Sequence, residues 1–88
     1  MIELGKKSQI TGIKQWPTFH MYRRPKHIPK VPEGHTIVCG LDQGDGERIF
    51  ICETLEHMQM LYDEYVMGHA IHITWYHTDA FDDAVAIA

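Results

Sequence analysis

The sequence predicts an α+β fold, a two-layer β-β-α-β body with a short C-terminal helix behind a basic N-terminal arm. Two short β-branched and apolar runs, 36–41 and 48–53, flank an Asp-Gly turn signal. Apolar residues at helical spacing follow over 55–67, and an alternating stretch follows over 70–76. With 88 residues, 44% of them apolar, the chain has material for one core.

Charge divides the chain into two segments. Residues 1–30 carry seven Lys or Arg and one acid, a balance of +6, whereas residues 31–88 carry one base and eleven acids, a balance of −10. We therefore divide one folding unit into a basic arm and connector, 1–34, and a compact acidic body, 35–88. The arm either folds onto the body or presents its charge to a partner.

Prolines mark the joint between the arm and the body. Pro25, Pro29 and Pro32 fix φ and remove backbone donors, so they predict a stiff, extended connector rather than a helix. Upstream of the connector, residues 18–22 alternate weakly and could add one strand to the sheet.

The two short runs of the body are expected to pair as a hairpin around Asp45-Gly46, because a type I′ turn needs positive φ at both central residues. In that register Cys39 lies directly opposite Cys52. Gly44 offers a competing turn, and a slip of one residue would exchange the faces of the sheet. The face expected to meet the helix carries Ile37, Cys39, Leu41, Phe50 and Cys52, and the other face carries Val38, Ile49 and Ile51.

The helix over 55–67 has Thr54 as its expected N-cap and Gly68 as its stop. Its expected inner stripe consists of Leu55, Met58, Leu61, Tyr62, Tyr65 and Val66. In the strand that follows, Ile71, Ile73 and Trp75 are expected to face inward, and His72, Thr74 and Tyr76 to face outward. The closing helix is predicted from Phe81, Ala84, Val85 and Ala88, behind the acids Asp79, Asp82 and Asp83.

The predicted partner-binding surface combines the outer helix face with the polar face of the last strand. Its residues are Glu56, Met60, Asp63, Glu64, Met67, His72, Thr74 and Tyr76. Two methionines among acids suit an adaptable contact with a basic partner. An equal alternative is that the arm or the C-terminal residues cover Met60 or Met67, or that both are simply tolerated as exposed residues. The leading hypothesis is a small non-enzymatic protein-binding module. Its more specific form is a phage-type inhibitor that occupies a surface of a larger host assembly, which could itself bind nucleic acid.

The alternative hypothesis is a nucleic-acid- or ribonucleoprotein-associated protein that binds directly through its arm. The arm interleaves aromatic rings with cations at Lys14, Trp16, Phe19, Tyr22, Arg23, Arg24, Lys26 and Lys30. Rings of this kind stack on unpaired bases while the cations neutralise phosphates. We favour the competing interpretation that the rings cover the second face of the sheet, because burying an aromatic stabilises by roughly 1.5–3 kcal/mol.

Enzyme function is not expected, since the sequence has neither a phosphate-binding glycine loop nor a nucleophile with a neighbouring base. No cofactor is expected. His69-x-x-His72 and His77-x-Asp79 hint at a metal, but in a strand His69 and His72 would point to opposite faces, so no metal site is predicted.

The cysteines and the hydropathy pattern indicate a cytoplasmic protein. Cys39 and Cys52 are expected to be reduced thiols in the core. No apolar run approaches the ~20 residues that a membrane span needs. An unpaired edge of the sheet would allow a dimer.

Overall fold

The computed structural model describes residues 2–21 and 23–79. Along the chain the elements are β1 (Ile2–Lys6), two 3₁₀ turns (Lys7–Gln9 and Ile13–Gln15), β2 (Thr18–Phe19), β3 (Thr36–Asp42), β4 (Glu47–Cys52), α1 (Leu55–Val66) and β5 (His72–Thr78). One sheet has the order β1-β4-β3-β5-β2, and every neighbouring pair is antiparallel. The α+β class is confirmed. The closing helix predicted over 81–88 lies outside the described residues.

The arm supplies both edge strands of the sheet. β1 pairs with β4, and its register shifts between Glu3 and Gly5. The strand expected within 18–22 is present but short, because β2 pairs with β5 only at Thr18–Tyr76 and Phe19–Trp75. β1 was not predicted, since it alternates apolar and polar residues only over Ile2, Glu3 and Leu4 before Gly5 interrupts the pattern. The division into arm and body therefore marks a change in charge along the chain. It is not a structural boundary, because strands of the arm and of the body belong to one sheet.

The connection between β3 and β4 is longer than predicted. Asp42 lies opposite Glu47, which leaves four residues, 43–46, in the loop, so the two-residue turn at Asp45-Gly46 is wrong. Gly44 and Gly46 have φ of 107° and 99°, conformations that favour glycine. The Asp42 carboxylate accepts a hydrogen bond from the Gly44 backbone N–H at 2.8 Å, so this backbone donor of the loop has a partner within the loop's own flank.

The hairpin register is shifted by two residues from the prediction. Cys39 lies opposite Phe50 rather than Cys52, which itself pairs with Ile37. Because side chains alternate with a period of two, a shift of two residues leaves every side chain on its predicted face. The sorting of residues between the two faces is therefore confirmed, although the pairing of the two cysteines is wrong.

Each face of the sheet carries its own apolar cluster. The helix-side cluster consists of Ile37, Cys39, Leu41, Phe50, Cys52, Met58, Leu61, Ala70 and Trp75. The arm-side cluster consists of Ile10, Ile13, Trp16, Val38, Ile49 and Tyr76. The prediction that aromatic rings of the arm cover the second face of the sheet is thus confirmed for Trp16. It is wrong for Phe19, which packs against the helix-side cluster, and Tyr22 lies outside the described residues.

α1 covers the helix-side cluster much as predicted. Thr54 caps its first turn, and Gly68 follows its end with φ of 82°. Met58 and Leu61 are buried, whereas Tyr65 and Val66, which were assigned to the inner stripe, are exposed. At 100° per residue Val66 lies about 110° around the helix from the midline of Met58 and Leu61, too far to reach the sheet. The inner stripe is therefore narrower than predicted at Val66, whereas Tyr65 lies only about 10° from that midline and is exposed in the last turn of the helix.

Candidate functional site

Exposed apolar side chains are concentrated on α1 and the loop that follows it. Of the seven large apolar side chains exposed in the described part of the chain, five fall within residues 60–71. We call these five, which are grouped along the chain, the α1 patch: Met60, Tyr65, Val66, Met67 and Ile71. At 100° per residue Met60 and Met67 share one side of the helix, whereas Tyr65 lies about 140° from Met60. Met60 and Met67 are 50% and 72% exposed, which contradicts the alternative that the arm buries them.

The predicted acids lie beside the patch, but two of the three already have partners. Asp63 accepts a hydrogen bond from Arg24 Nε at 2.9 Å and a second from Nη2 at 3.2 Å. Glu64 accepts one from Gln43 Nε2 at 3.1 Å. Glu56 is exposed and forms no ion pair with any residue of the described ranges. Glu56 is therefore the acid most available to a partner.

The predicted strand residues are not part of this surface. His72, Thr74 and Tyr76 point to the face of β5 opposite α1, so the sheet separates them from the α1 patch. Thr74 Oγ1 lies 2.9 Å from His72 Nε2, and both remain accessible. Tyr76 is buried, so its predicted role at an exposed rim is wrong, because Trp16 of the arm packs edge-on against its ring.

A buried polar network joins the arm to this second face. Glu47 has a side chain only 12% exposed, and Lys7 Nζ lies 3.0 Å from its Oε2. The Tyr76 hydroxyl donates a hydrogen bond to Glu47 Oε1 at 3.2 Å. Gly40, in the centre of β3, makes this arrangement feasible, because a Cβ there would overlap the Glu47 carboxylate.

This network was not predicted from the sequence. The available signal was Gly40 itself, since glycine inside a strand often marks the close approach of another group.

A cleft of about 710 Å³ lies beside the network, between the 3₁₀ turns and the β3–β4 loop. Lys7 and Tyr76 both contact the Glu47 carboxylate, so we interpret it as a clamp that links the arm to the sheet.

Alkaline pH is expected to weaken the fold. Burial raises the pKa of the Cys39 thiol well above its usual 9.0 and that of Tyr76 above 10.0. The hydrogen bond to Glu47 raises the pKa of Lys7 above 10.5. Each shift favours the protonated group in the folded state. The resulting stability is complete below the unfolded-state pKa and is lost as pH rises through the folded-state pKa.

The free energy of unfolding, measured by urea titration, is therefore expected to fall as pH rises above about 9. Tyr76→Phe keeps the ring but removes the ionisable hydroxyl, so its decline should be shallower. A flat profile across this range would show that these groups do not control alkaline stability, and equal slopes for the two proteins would show that Tyr76 does not contribute.

The opposite charges of the arm and the body meet in ion pairs. Three join arm cations to body acids: Lys6–Asp45 at 3.5 Å, Lys7–Glu47 at 3.0 Å and Arg24–Asp63 at 2.9 Å. In the reverse direction Glu3, the one acid of the first thirty residues, pairs with Arg48, the one base of the rest, at 2.8 Å. Exposed pairs contribute about 0–1 kcal/mol each, so they orient the arm more than they stabilise it.

The residues predicted to bind nucleic acid are dispersed. Trp16 is 7% exposed, so its ring is not available to a base. Phe19 is half-buried and stacks on Trp75 with ring centroids 6.3 Å apart. Four cations remain exposed without an ion pair to any described residue: Lys14, Arg23, Lys26 and Lys30. Among the described residues the arm therefore retains charge for binding an anion, whereas Trp16 is not available for stacking and Tyr22 lies outside the described residues.

Histidines and cysteines have local partners. His69 Nδ1 lies 3.0 Å from Glu64 Oε2, and His35 Nδ1 lies 2.8 Å from His77 Nδ1. Within residues 2–21 and 23–79, no three His, Cys, Asp or Glu side chains are grouped closely enough to hold a metal ion. Cys39 and Cys52 are buried free thiols, as predicted.

Comparison with known proteins identifies no relative, since no family model, curated protein or solved structure matches this chain. Among the described residues, no helix is long and apolar enough to cross a bilayer.

Proposed function

We propose that this protein is a small non-enzymatic binding module that attaches to a partner protein through the α1 patch. The supporting observation is the concentration of exposed apolar side chains within residues 60–71, where Val66, Met67 and Ile71 are 60%, 72% and 71% exposed. Grouped exposed apolar side chains are typical of protein interaction sites, whereas scattered ones need no explanation. Methionine suits such a site because its flexible side chain adapts to an irregular surface.

Charge defines the chemistry of the partner. α1 contains Glu56, Asp63 and Glu64 but no Lys or Arg, and of these acids Asp63 is neutralised by Arg24. The partner surface is therefore apolar and bordered by basic side chains, which would accelerate encounter and select against acidic surfaces. A cytoplasmic assembly with a basic nucleic-acid-binding groove has this character. Occupation of such a surface by a phage-type inhibitor is the specific form of the proposal.

Binding should depend on the α1 patch and not on exposed apolar residues elsewhere. The partner is captured from nuclease-treated extract, purified, and titrated against a Met60→Lys/Met67→Lys variant by calorimetry. Loss of two central contacts is expected to weaken affinity about 100-fold or more. The control is Ile2→Lys/Ile28→Lys, which makes the same chemical change at the two exposed apolar residues outside the patch and should bind as the unmodified protein does.

Two results would contradict the proposal. In the first, both double variants bind with equal affinity, which would place the contact elsewhere. In the second, sedimentation shows that the chain alone is a dimer and that Met60→Lys/Met67→Lys dissociates it, which would make a second copy the occupant of the patch. All four substituted residues are exposed, so unfolding of a variant is not expected and is checked by circular dichroism.

A further inference from the structure

A second site lies in the connector between the arm and the body. A cleft of about 430 Å³ is lined by Met21, Arg23, Arg24, Pro25, Lys26, His27 and Pro29. Small-molecule sites typically have volumes of about 300–1,000 Å³, so this cleft is large enough for a ligand of nucleotide size.

Contacts with α1 hold the connector in place. Arg24 forms two hydrogen bonds with Asp63, and Gln59 Nε2 donates a hydrogen bond of 2.7 Å to the carbonyl of Pro25. Pro25 is itself buried, and proline further restricts the backbone. A loop held at two points has less conformational entropy to lose when a ligand binds.

The charge of the cleft is positive and uncompensated. Its described lining contains no carboxylate. Asp63 takes up the charge of Arg24, but Arg23 and Lys26 are exposed and form no ion pair with residues 2–21 or 23–79. The cleft therefore retains two free cations a few residues apart on a restrained loop, which suits a phosphate group.

The larger cleft beside the 3₁₀ turns differs in this respect. Two of its lysines, Lys6 and Lys7, are paired with Asp45 and Glu47, which line the same cleft. Lys14 also lines this cleft, so three lysines face two acids there and one positive charge remains. The smaller cleft is consequently the better anion site, although it has the smaller volume.

Apolar side chains complete the connector cleft, since Met21, Pro25 and Pro29 line it together with the cations. We propose that the connector cleft binds a nucleoside phosphate or a ring-bearing phosphorylated molecule of similar size. Arg23 and Lys26 bind the phosphate oxygens, and the ring packs against Met21 and the prolines. This ligand site is independent of the α1 patch and of its protein partner.

Calorimetry of the full chain with adenosine diphosphate tests the proposal, with adenosine and inorganic phosphate as separate probes. Adenosine diphosphate should bind saturably, and each fragment should bind at least about tenfold more weakly. Adenosine lacks the phosphates that the cations would bind, and inorganic phosphate lacks the ring. Arg23→Ala and Lys26→Ala should each reduce affinity about tenfold. Lys14→Ala removes an exposed arm cation outside the cleft and should leave affinity unchanged.

Methyl NMR spectra provide a second readout, since the Met21 signal should shift with adenosine diphosphate and the Met67 signal should not. The absence of saturable binding by adenosine diphosphate, or an equal loss of affinity in Lys14→Ala, would overturn the proposal. So would binding of a single-stranded oligonucleotide without binding of the free nucleotide. Met60→Lys/Met67→Lys should bind adenosine diphosphate normally, so failure of the partner proposal is distinguishable from failure of this one.

Discussion

Replacing Trp16 by alanine is expected to lower the free energy of unfolding by about 3–5 kcal/mol, the usual cost of deleting a buried aromatic side chain. Trp16 is 7% exposed within the arm-side cluster and meets the Tyr76 ring edge-on, with centroids 6.2 Å apart and planes at 82°. Domains are typically stable by about 5–15 kcal/mol, so the variant should retain little stability. Urea unfolding followed by circular dichroism measures the change.

Lys14→Ala is the matched control, because Lys14 is exposed and lies two residues from Trp16 on the same segment. It should change stability by less than about 0.5 kcal/mol. If Trp16→Ala also costs less than about 1 kcal/mol, the arm contributes little to the fold, and its cover of Val38 and Ile49 is not a true core.

Replacing Gly40 by alanine is expected to destabilise the protein by about 1–3 kcal/mol, although alanine suits a strand better than glycine does. The added Cβ would overlap the Glu47 carboxylate and lie 3.3 Å from Ile49 Cδ1. Glu47 would have to move away from Lys7 and from the Tyr76 hydroxyl, and Tyr76 is buried, so its hydroxyl would lose its partner. Chemical denaturation at neutral pH measures the loss.

A double-mutant cycle identifies the cause of that loss. In a Glu47→Ala background only Ile49 Cδ1, at 3.3 Å, remains close to the added Cβ, so the cost of Gly40→Ala should be much smaller there. If Gly40→Ala has the same cost with and without the Glu47 side chain, the glycine is required for another reason and the clamp interpretation fails.

Local patterns predicted the elements of the body better than the geometry of its turns. The helix ends within one residue of its predicted end because Thr54 and Gly68 act through nearby backbone groups. The hairpin turn was wrong because both Gly44 and Gly46 have positive φ, and an Asp-Gly pair alone does not specify which residues the loop includes. The side chains were still assigned to the correct faces of the hairpin, since a register shift of two residues moves no side chain to the opposite face.

The candidate surface was predicted in part. Met60 and Met67 are exposed on α1 because helical periodicity places residues seven apart on one face. Val66 and Ile71, which extend the same patch, were assigned to the core because they continue apolar patterns. Tyr76 was placed outside because strand alternation identifies two faces without showing that another segment covers the second.

The sequence by itself determined the α+β class, the residues on each face of β3, β4 and β5, the limits of α1 and the separation of charge, since these depend on propensity and periodicity among near neighbours. Only the tertiary structure decided that the arm forms both sheet edges and covers one face. It also decided that Glu47 lies over Gly40 and that the connector forms a cationic cleft. These features depend on contacts such as Arg24–Asp63 and Glu3–Arg48, 39 and 45 residues apart, whose pairing follows from the packing of the whole chain.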